Sequence, residues 1–353
     1  MIRKHGWKAL GVLILLYVFT VGLLTPLKPG IVDVHPNTVR TGDNFTLNVL
    51  GYNSNFLDNP QQLRAWLKLN DELALASSGI KALNNRELLL TFALPEYLPV
   101  AQRVQDFSLV IDNPADGPSV LPSAVFVTQD SIDPETGKAQ WVNSPIDQLS
   151  DHSGFAFPFR NILAESIRNA YFHIPMWFAM IFVFLAGVIN CIRYLRKQDI
   201  LADARAEALT RVGILLGAMG LASGAVWAKY TWGAFWSNDI KQTMTAVALL
   251  IYLAYFVLRN AVEDPEKKAR LSAVYNLFAF AALIPLIYVV PRLRDSLHPG
   301  AGGNPALGGE DLDSTMRMVF YPAIIGWTLL AFWIAQLSYR MRRLELTLED
   351  QYD

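Results

Sequence analysis

Residues 174–192 read IPMWFAMIFVFLAGVINCI, an apolar run without a single charged side chain. A helix needs about 20 mostly apolar residues to cross a bilayer. Comparable runs occur elsewhere along the chain, at 9–24, 212–227, 244–258, 277–290 and 319–337. The sequence therefore predicts a multi-pass α-helical membrane protein with six transmembrane helices. The first run lacks a small-residue cleavage site after it, so we expect an uncleaved anchor rather than a signal peptide.

The composition agrees with a membrane protein that also has a polar part. The chain has 353 residues, a mean hydropathy of +0.26 and 17% charged residues, below the quarter or so that is typical of soluble proteins. Its net charge of −1 argues against nucleic acid as a partner. Cys191 is the only cysteine, which excludes an internal disulfide, a CxxC redox pair and a CxxCH heme attachment site.

Lysine and arginine predict the orientation of the helices. They collect at the N-terminus (3–8), in the returns 193–211 and 259–270, and after the last helix at 340–343. Cytoplasmic loops of membrane proteins carry this excess of positive charge. We therefore expect both termini in the cytoplasm. The long insert between the first two helices and the loops 229–242 and 292–317 are then expected on the opposite, outer face.

The insert has the pattern of a β-sandwich. Short runs of strand-forming residues are separated by turn residues at regular spacing, as in 45–50, 64–69, 87–92, 107–111 and 124–127. Pro29-Gly30-Ile31, His35-Pro36, Gly42, Gly51 and Asn55-Phe56 resemble the opening of an IPT/TIG immunoglobulin-like domain. We expect an all-β immunoglobulin-like sandwich that serves as a docking or spacer module, because no catalytic constellation occurs in it.

These patterns divide the chain into five parts. Residues 1–27 form the cytoplasmic end and the first transmembrane helix, and 28–130 form the periplasmic sandwich. Residues 131–170 are predicted to be a periplasmic linker ending in an amphipathic helix on the membrane surface. Residues 171–340 form a five-helix bundle, and 341–353 a cytoplasmic tail.

An aromatic loop between the third and fourth helices has the strongest functional pattern. It contains Tyr230, Trp232, Phe235 and Trp236 in seven residues, with Gly233 among them. Such rings are common where a helix meets the membrane surface. A flat apolar platform with a few charges at its rim also suits a flat amphipathic ligand.

This loop resembles the tryptophan-rich WWD signature of the cytochrome c assembly family of heme-handling membrane proteins, roughly W-G-x-W-W-x-W-D-x-x-x-T. The matching positions are Trp232, Gly233, Trp236, Asp239 and Thr243. Two tryptophan positions of the family are filled by Phe235 and Asn238, and Lys241 corresponds to a family arginine. The resemblance implies that the loop contacts heme.

The resemblance also implies two axial histidine ligands, one from each flanking outer loop. His173 lies in a match to the family's aromatic-x-His-x-Pro-x-x-Trp pattern at the start of the second helix, and His298 lies in the loop between helices five and six. Neutral imidazoles are common ligands of heme iron. His152 is the fallback ligand. Candidate partners of the heme propionates are Lys229, Lys241, Arg292 and Arg294.

With six predicted helices and a single WWD loop, the sequence is most similar to the heme exporter protein C (CcmC) branch of the family. This resemblance implies an inner-membrane protein of bacterial cytochrome c biogenesis that holds heme b non-covalently and hands it on, rather than an enzyme. Its implied partners are a periplasmic heme chaperone, ABC-transporter-like subunits and apocytochrome c, besides membrane lipid. The sandwich departs from the branch, which has a short loop there.

Two other functions stay open at this stage. One is a heme lyase or synthetase that attaches heme to apocytochrome c. The other is a receptor or scaffold without heme, in which the membrane bundle only anchors the β-domain. Asp239 has two possible roles, orienting a ligand or pairing with Lys241.

Overall fold

The computed structural model describes residues 2–141, 146–151, 154–298 and 312–352. Two compact units divide the chain. One contains residues 1–25 and 165–353, and the other contains residues 26–164.

The first unit is a bundle of long helices. They are α1 (Ile2–Leu24), α3 (His173–Lys197), α4 (Ile200–Trp232), α5 (Ile240–Asn260), α6 (Pro265–Ile284) and α7 (Ser314–Tyr352), while α2 (Pro134–Trp141) belongs to the other unit. Each of these bundle helices lies in a segment long and apolar enough to cross a membrane. The prediction of a six-helix membrane protein is therefore confirmed.

The segment before α3 and the segment after α6 are not regular α-helix. Residues Ala164–Tyr171, where we expected an amphipathic helix, form a 3-10 helix that leads into α3 and buries Ile167, Ala170 and Tyr171. Pro285 ends α6, because its ring removes a backbone donor, and a π-helical turn (Pro285–Val289) and a 3-10 turn (Val290–Arg292) follow.

Close helix contacts in the bundle depend on small residues of α4. The helix packs against α3, α5 and α7. A Cβ at Gly217 would meet the Leu249 side chain, and one at Gly220 would lie 2.7 Å from the Trp177 ring. Glycine at these positions lets large side chains of neighbouring helices reach the backbone of α4.

The second unit is a β-sandwich, in which the described residues form nine strands: β1 (Gly30–His35), β2 (Thr38–Arg40), β3 (Asn44–Tyr52), β4 (Arg64–Lys68), β5 (Ala74–Ala76), β6 (Gly79–Ala82), β7 (Glu87–Ala93), β8 (Val104–Asn113) and β9 (Gly117–Thr128). One sheet has the order β1-β3-β7-β6 and the other β2-β9-β8-β4-β5. All neighbours pair antiparallel except β2 and β9. The predicted β-sandwich is confirmed.

The sandwich core follows the alternation of the strands. Leu47 and Val49 on β3 and Leu88, Leu90 and Phe92 on β7 are fully buried at every second position.

Residues beyond 130 contribute to this core too. Trp141 of α2 is fully buried, stacks on Phe107 at 4.5 Å between ring centroids, and donates its indole N–H to the Tyr97 carbonyl. The helix α2 is thus packed into the sandwich.

Candidate functional site

The loop between α4 and α5 is closed by its own residues. Gly233 caps α4 in the left-handed conformation (φ 84°), and its carbonyl accepts a hydrogen bond of 2.9 Å from Lys229 Nζ. At the other end, the buried Gln242 accepts hydrogen bonds from the backbone N–H and the hydroxyl of Ser237, both at 3.1 Å. The loop therefore has a defined shape of its own.

Asp239 links this loop to the loop that carries His298. As the N-cap of α5, its Oδ1 accepts from the backbone N–H of Lys241 at 2.8 Å. The same Oδ1 lies 2.8 Å from His298 Nδ1, while Oδ2 accepts from the Ser296 hydroxyl and the Leu297 backbone N–H, both at 2.8 Å. The Asp239 side chain is 1% exposed.

These contacts define the chemistry of His298. Because Oδ1 is an acceptor, Nδ1 of the neutral ring carries the proton, and Nε2 keeps a lone pair with no partner among the residues that the structure describes. The Trp232 ring meets the imidazole edge-on, with centroids 4.7 Å apart. Trp232 and Asp239 thus hold His298 from two sides, which favours the orienting role of Asp239 over a pairing with Lys241.

The electrostatic surroundings keep His298 neutral, the state in which an imidazole can act as a ligand, and keep Asp239 ionised. Burial, together with the charge of Lys241, lowers the pKa of His298 below its ordinary value, although Asp239 works in the opposite direction. Burial raises the pKa of Asp239, but the hydrogen bonds from Ser296 and Leu297 and the nearby His298 outweigh it, so the net shift is downward. Near neutral pH, His298 is neutral and Asp239 is ionised.

His173 sits at the start of α3 against α4. Its Nδ1 lies 3.0 Å from Ser223 Oγ, and Ser223 donates its own proton to the Gly220 carbonyl at 3.0 Å. The Ser223 oxygen must therefore accept from His173, which places the imidazole proton on Nδ1. His173 Nε2 accepts a hydrogen bond of 3.3 Å from Trp177 Nε1, one helical turn along α3.

A shallow cradle on α4 receives the His173 ring. A Cβ at Gly224 would lie 2.7 Å from His173 Cε1, so only glycine leaves room there. The Trp227 ring lies 5.9 Å from the imidazole, and its indole donates to the Ser166 hydroxyl. His173 is 9% exposed, and its ring is close enough to His298 for the two to interact electrostatically.

The remaining predicted residues of the aromatic loop differ in their exposure. Phe235 and Trp236 are exposed, as is the neighbouring Tyr230. Thr243 is half-buried in the first turn of α5, where its backbone N–H bonds to the Asp239 carbonyl at 3.0 Å. These exposed rings are the residues for which the sequence predicts an apolar platform, which stays a prediction.

Four cations were predicted near the site. Lys229 Nζ donates a hydrogen bond to the Gly233 carbonyl and lies 5.9 Å from the centroid of the Phe235 ring. Lys241 is half-buried, and its charge interacts with that of Arg292. Arg292 and Arg294 are exposed. No described residue forms an ion pair with Lys241, Arg292 or Arg294.

Two further predictions cannot be placed. The fallback ligand His152 and the glycine-rich segment 299–309 that follows His298 lie outside the described residues. Among the described residues, no group of three or more His, Cys, Asp or Glu side chains is arranged to hold a metal ion. Two imidazoles, such as those predicted here at His173 and His298, are a common ligand pair of a six-coordinate heme iron.

Sequence reasoning did not assign roles to Trp177, Ser223 and Gly224. Trp177 follows His173 by four residues, a spacing that places both side chains on one face of a helix. Gly220, Ser223 and Gly224 recur at helical spacing on α4, which was a usable signal for a surface that admits large side chains.

Comparison with known proteins identifies the family of this bundle. The model of the heme exporter protein C (CcmC) family matches residues 153–351, more than half of the chain. The heme exporter protein C of Paracoccus denitrificans is 28% identical over 177 residues, 50% of this chain and 73% of the relative. The heme exporter protein C of Bradyrhizobium diazoefficiens is 28% identical over 165 residues, which are 47% of this chain and 62% of the relative. That of Escherichia coli K12 is 25% identical over 197 residues, 56% and 78%.

The family match covers the helices from α3 onward and leaves out the nine strands of the sandwich. It includes both histidines and the loop between α4 and α5. The multi-pass helical architecture and the family match together assign the bundle: the chain belongs to the heme exporter protein C family.

Proposed function

We propose that the protein binds heme b non-covalently at the outer end of its bundle and hands it to a partner during cytochrome c biogenesis in a bacterial inner membrane. The observation that carries the proposal is the Asp239–His298 pair, with 2.8 Å between Oδ1 and Nδ1. A carboxylate on the far nitrogen of a metal-binding histidine fixes its tautomer and ring orientation and raises its basicity as a ligand. The family name of the relatives supports heme as the cargo.

In this proposal the bound heme supplies an iron with two axial positions and two propionates. His298 donates Nε2 to one axial position, and Asp239 keeps the proton on Nδ1. His173 donates Nε2 to the other axial position. Its Nδ1–H donates a hydrogen bond to Ser223 Oγ. Before His173 can do so, the Trp177 indole N–H must release Nε2. Two ligands from two separate chain segments suit reversible holding, because neither forms a covalent bond to the porphyrin.

In this proposal, other residues near the histidines contact the porphyrin ring and the propionates. Trp232, Phe235 and Trp236 supply an apolar platform for the ring, with Gly233 allowing close approach and Thr243 beside the cap. Lys241, Arg292 and Arg294 pair with the propionates, and Lys229 holds the loop closed while contributing charge.

The same proposal extends to topology and partners. From the basic clusters we infer that both termini are cytoplasmic and that the histidine site and the β-sandwich are periplasmic. A periplasmic heme chaperone receives the heme, ABC-transporter-like subunits work beside the protein in the membrane, and the IPT/TIG-like sandwich docks one of these partners or apocytochrome c.

The test is the absorption spectrum of the purified full chain from heme-replete cells. We expect Soret and α bands of a bis-histidine heme, and we expect His173→Ala together with His298→Ala to remove them. Wild-type protein that is colourless and takes up no added hemin would contradict the proposal and favour a scaffold without heme.

A second experiment separates handover from covalent catalysis. The protein is co-expressed with an apocytochrome bearing CxxCH, in cells without other assembly factors. Handover predicts no covalently attached heme under these conditions. Covalent heme in the apocytochrome would identify a heme lyase instead.

A further inference from the structure

A cavity lies far from the histidines, at the other end of the bundle. It has a volume of about 370 Å³ and is bounded by α4, α5, α6 and α7. Glu207 lines it, sixteen residues before Ser223 on α4, which at 1.5 Å per residue is a separation of about 24 Å. The cavity is therefore independent of the proposed heme site.

Each of the four helices contributes one cation to the cavity wall: Arg211, Arg259, Lys268 and Arg342. Two carboxylates, Glu207 and Glu345, line it as well. The wall therefore has two more positive than negative groups. Asp203 behind Arg259 reduces this excess to one, and the remaining charge attracts an anion.

The carboxylates hold the guanidinium groups in place. Arg259 makes two hydrogen bonds to Asp203, at 2.9 and 2.6 Å, and a third contact of 3.1 Å to Glu207. Arg211 reaches Glu207 at 3.0 Å, and Arg342 reaches Glu345 at 2.9 Å. Because these ion pairs already restrict the arginine side chains, binding of an anion costs little further side-chain entropy.

Lys268 differs from the three arginines. It is half-buried, and no described side chain forms an ion pair or hydrogen bond with its ammonium group. A cation left without a counter-charge inside a cavity is the natural contact for an added anionic group.

The position of the cavity indicates which anions can reach it. It lies where the membrane-spanning segments end, and Ala204, Ala208 and Met341 add apolar surface beside the charges. Basic pockets between transmembrane helices bind anionic lipid headgroups. We propose that this cavity binds a phosphate group through Lys268 and Arg211, and that either the headgroup of an anionic phospholipid or free phosphate supplies it.

The experiment measures binding of short-chain phosphatidylglycerol, short-chain phosphatidylcholine and inorganic phosphate to the full-length protein in detergent. We expect phosphatidylglycerol or phosphate to bind and phosphatidylcholine not to compete. Removing both cations in Arg211→Gln with Lys268→Gln should weaken binding at least about tenfold, since each supplies a charge-assisted hydrogen bond. Binding of phosphatidylglycerol alone identifies a lipid headgroup, and binding of phosphate alone identifies a soluble ligand.

The matched control is Lys267→Gln with Arg270→Gln, which removes two exposed cations of α6 that do not line the cavity. It should leave binding within about twofold of wild type. Ser338→Phe, which fills the cavity without changing charge, should abolish binding, and Glu345→Gln should strengthen it. Equal losses in both charge pairs, or full binding by Ser338→Phe, would overturn the proposal, as would a protein that binds neither anion.

Discussion

Asp239 Oδ1 lies 2.8 Å from His298 Nδ1, although the two residues are 59 positions apart in the sequence. The carboxylate begins a helix and orients an imidazole in another loop at the same time. This contact joins two segments that sequence reasoning could only assign separately, and it explains why an aspartate stands at the end of the aromatic loop.

Asp239→Asn should weaken hemin binding by about 10- to 100-fold at neutral pH, the usual cost of losing a partner of a metal-binding histidine. The measurement is a hemin titration followed by absorption. Asp239→Ser separates the two roles, because serine is also a good helix N-cap but cannot reach His298. It should bind hemin as weakly as Asp239→Asn while keeping wild-type thermal stability within a few degrees. Unchanged affinity in both variants would refute the orienting role.

Hemin affinity should be constant near neutral pH and fall only in acid, because iron binds neutral imidazole and the pKa of His298 lies below the ordinary 6.5. Burial is the main cause of this shift, and Asp239 opposes it. Removing the carboxylate in Asp239→Asn should therefore move the acid midpoint to lower pH, even as affinity at pH 7 decreases. A titration series over pH 4.5 to 8 checks both directions, and a midpoint that moves upward would contradict this account.

Gly224→Ala should impair heme binding without destabilising α4. The added Cβ would lie 2.7 Å from His173 Cε1, so the ring must shift away from Ser223. Alanine favours a helix over glycine by about 1 kcal/mol, so helix content should not fall. Circular dichroism and hemin titration separate the two effects. Gly6→Ala, where a Cβ meets nothing within 4 Å, is the control and should bind normally.

Trp177→Phe should strengthen hemin binding by a few-fold. The indole N–H donates to His173 Nε2 at 3.3 Å and competes with iron for the same lone pair. A single neutral hydrogen bond has a net value of about 1 kcal/mol, which limits the gain to roughly fivefold. The comparison is Ser223→Ala, which should weaken binding because it leaves the Nδ1 proton without its acceptor. A loss of affinity in Trp177→Phe would show that the indole supports the heme rather than competing with it.

Asp203→Ala should destabilise the bundle by about 3–5 kcal/mol, because it leaves the Arg259 guanidinium buried without its main partner. Arg259 and Asp203 are 8% and 6% exposed. Adding Arg259→Met to Asp203→Ala should restore most of the lost stability. Thermal unfolding in detergent measures both. Arg340→Ala, at the same end but exposed, should have no effect beyond about 0.5 kcal/mol.

The amino-acid sequence alone is enough to predict the architecture. Transmembrane helices were visible because a bilayer demands long runs without charge, as in 174–192, and strands such as β3 and β7 were visible because their buried residues alternate. Motif spacing singled out His173, His298 and Asp239 as candidates before any coordinates were considered.

The contacts between these candidates, in contrast, arise from the packing of the folded chain. The pairing of Asp239 with His298, the cradle at Gly224 and the hydrogen bond from Trp177 to His173 each depend on which faces of packed helices meet. The burial of Trp141 in the sandwich and the cation cluster around Arg259 arise in the same way. Spacing along a chain specifies the face of a single element, whereas contacts between distant segments depend on packing angles and loop paths that local patterns do not encode.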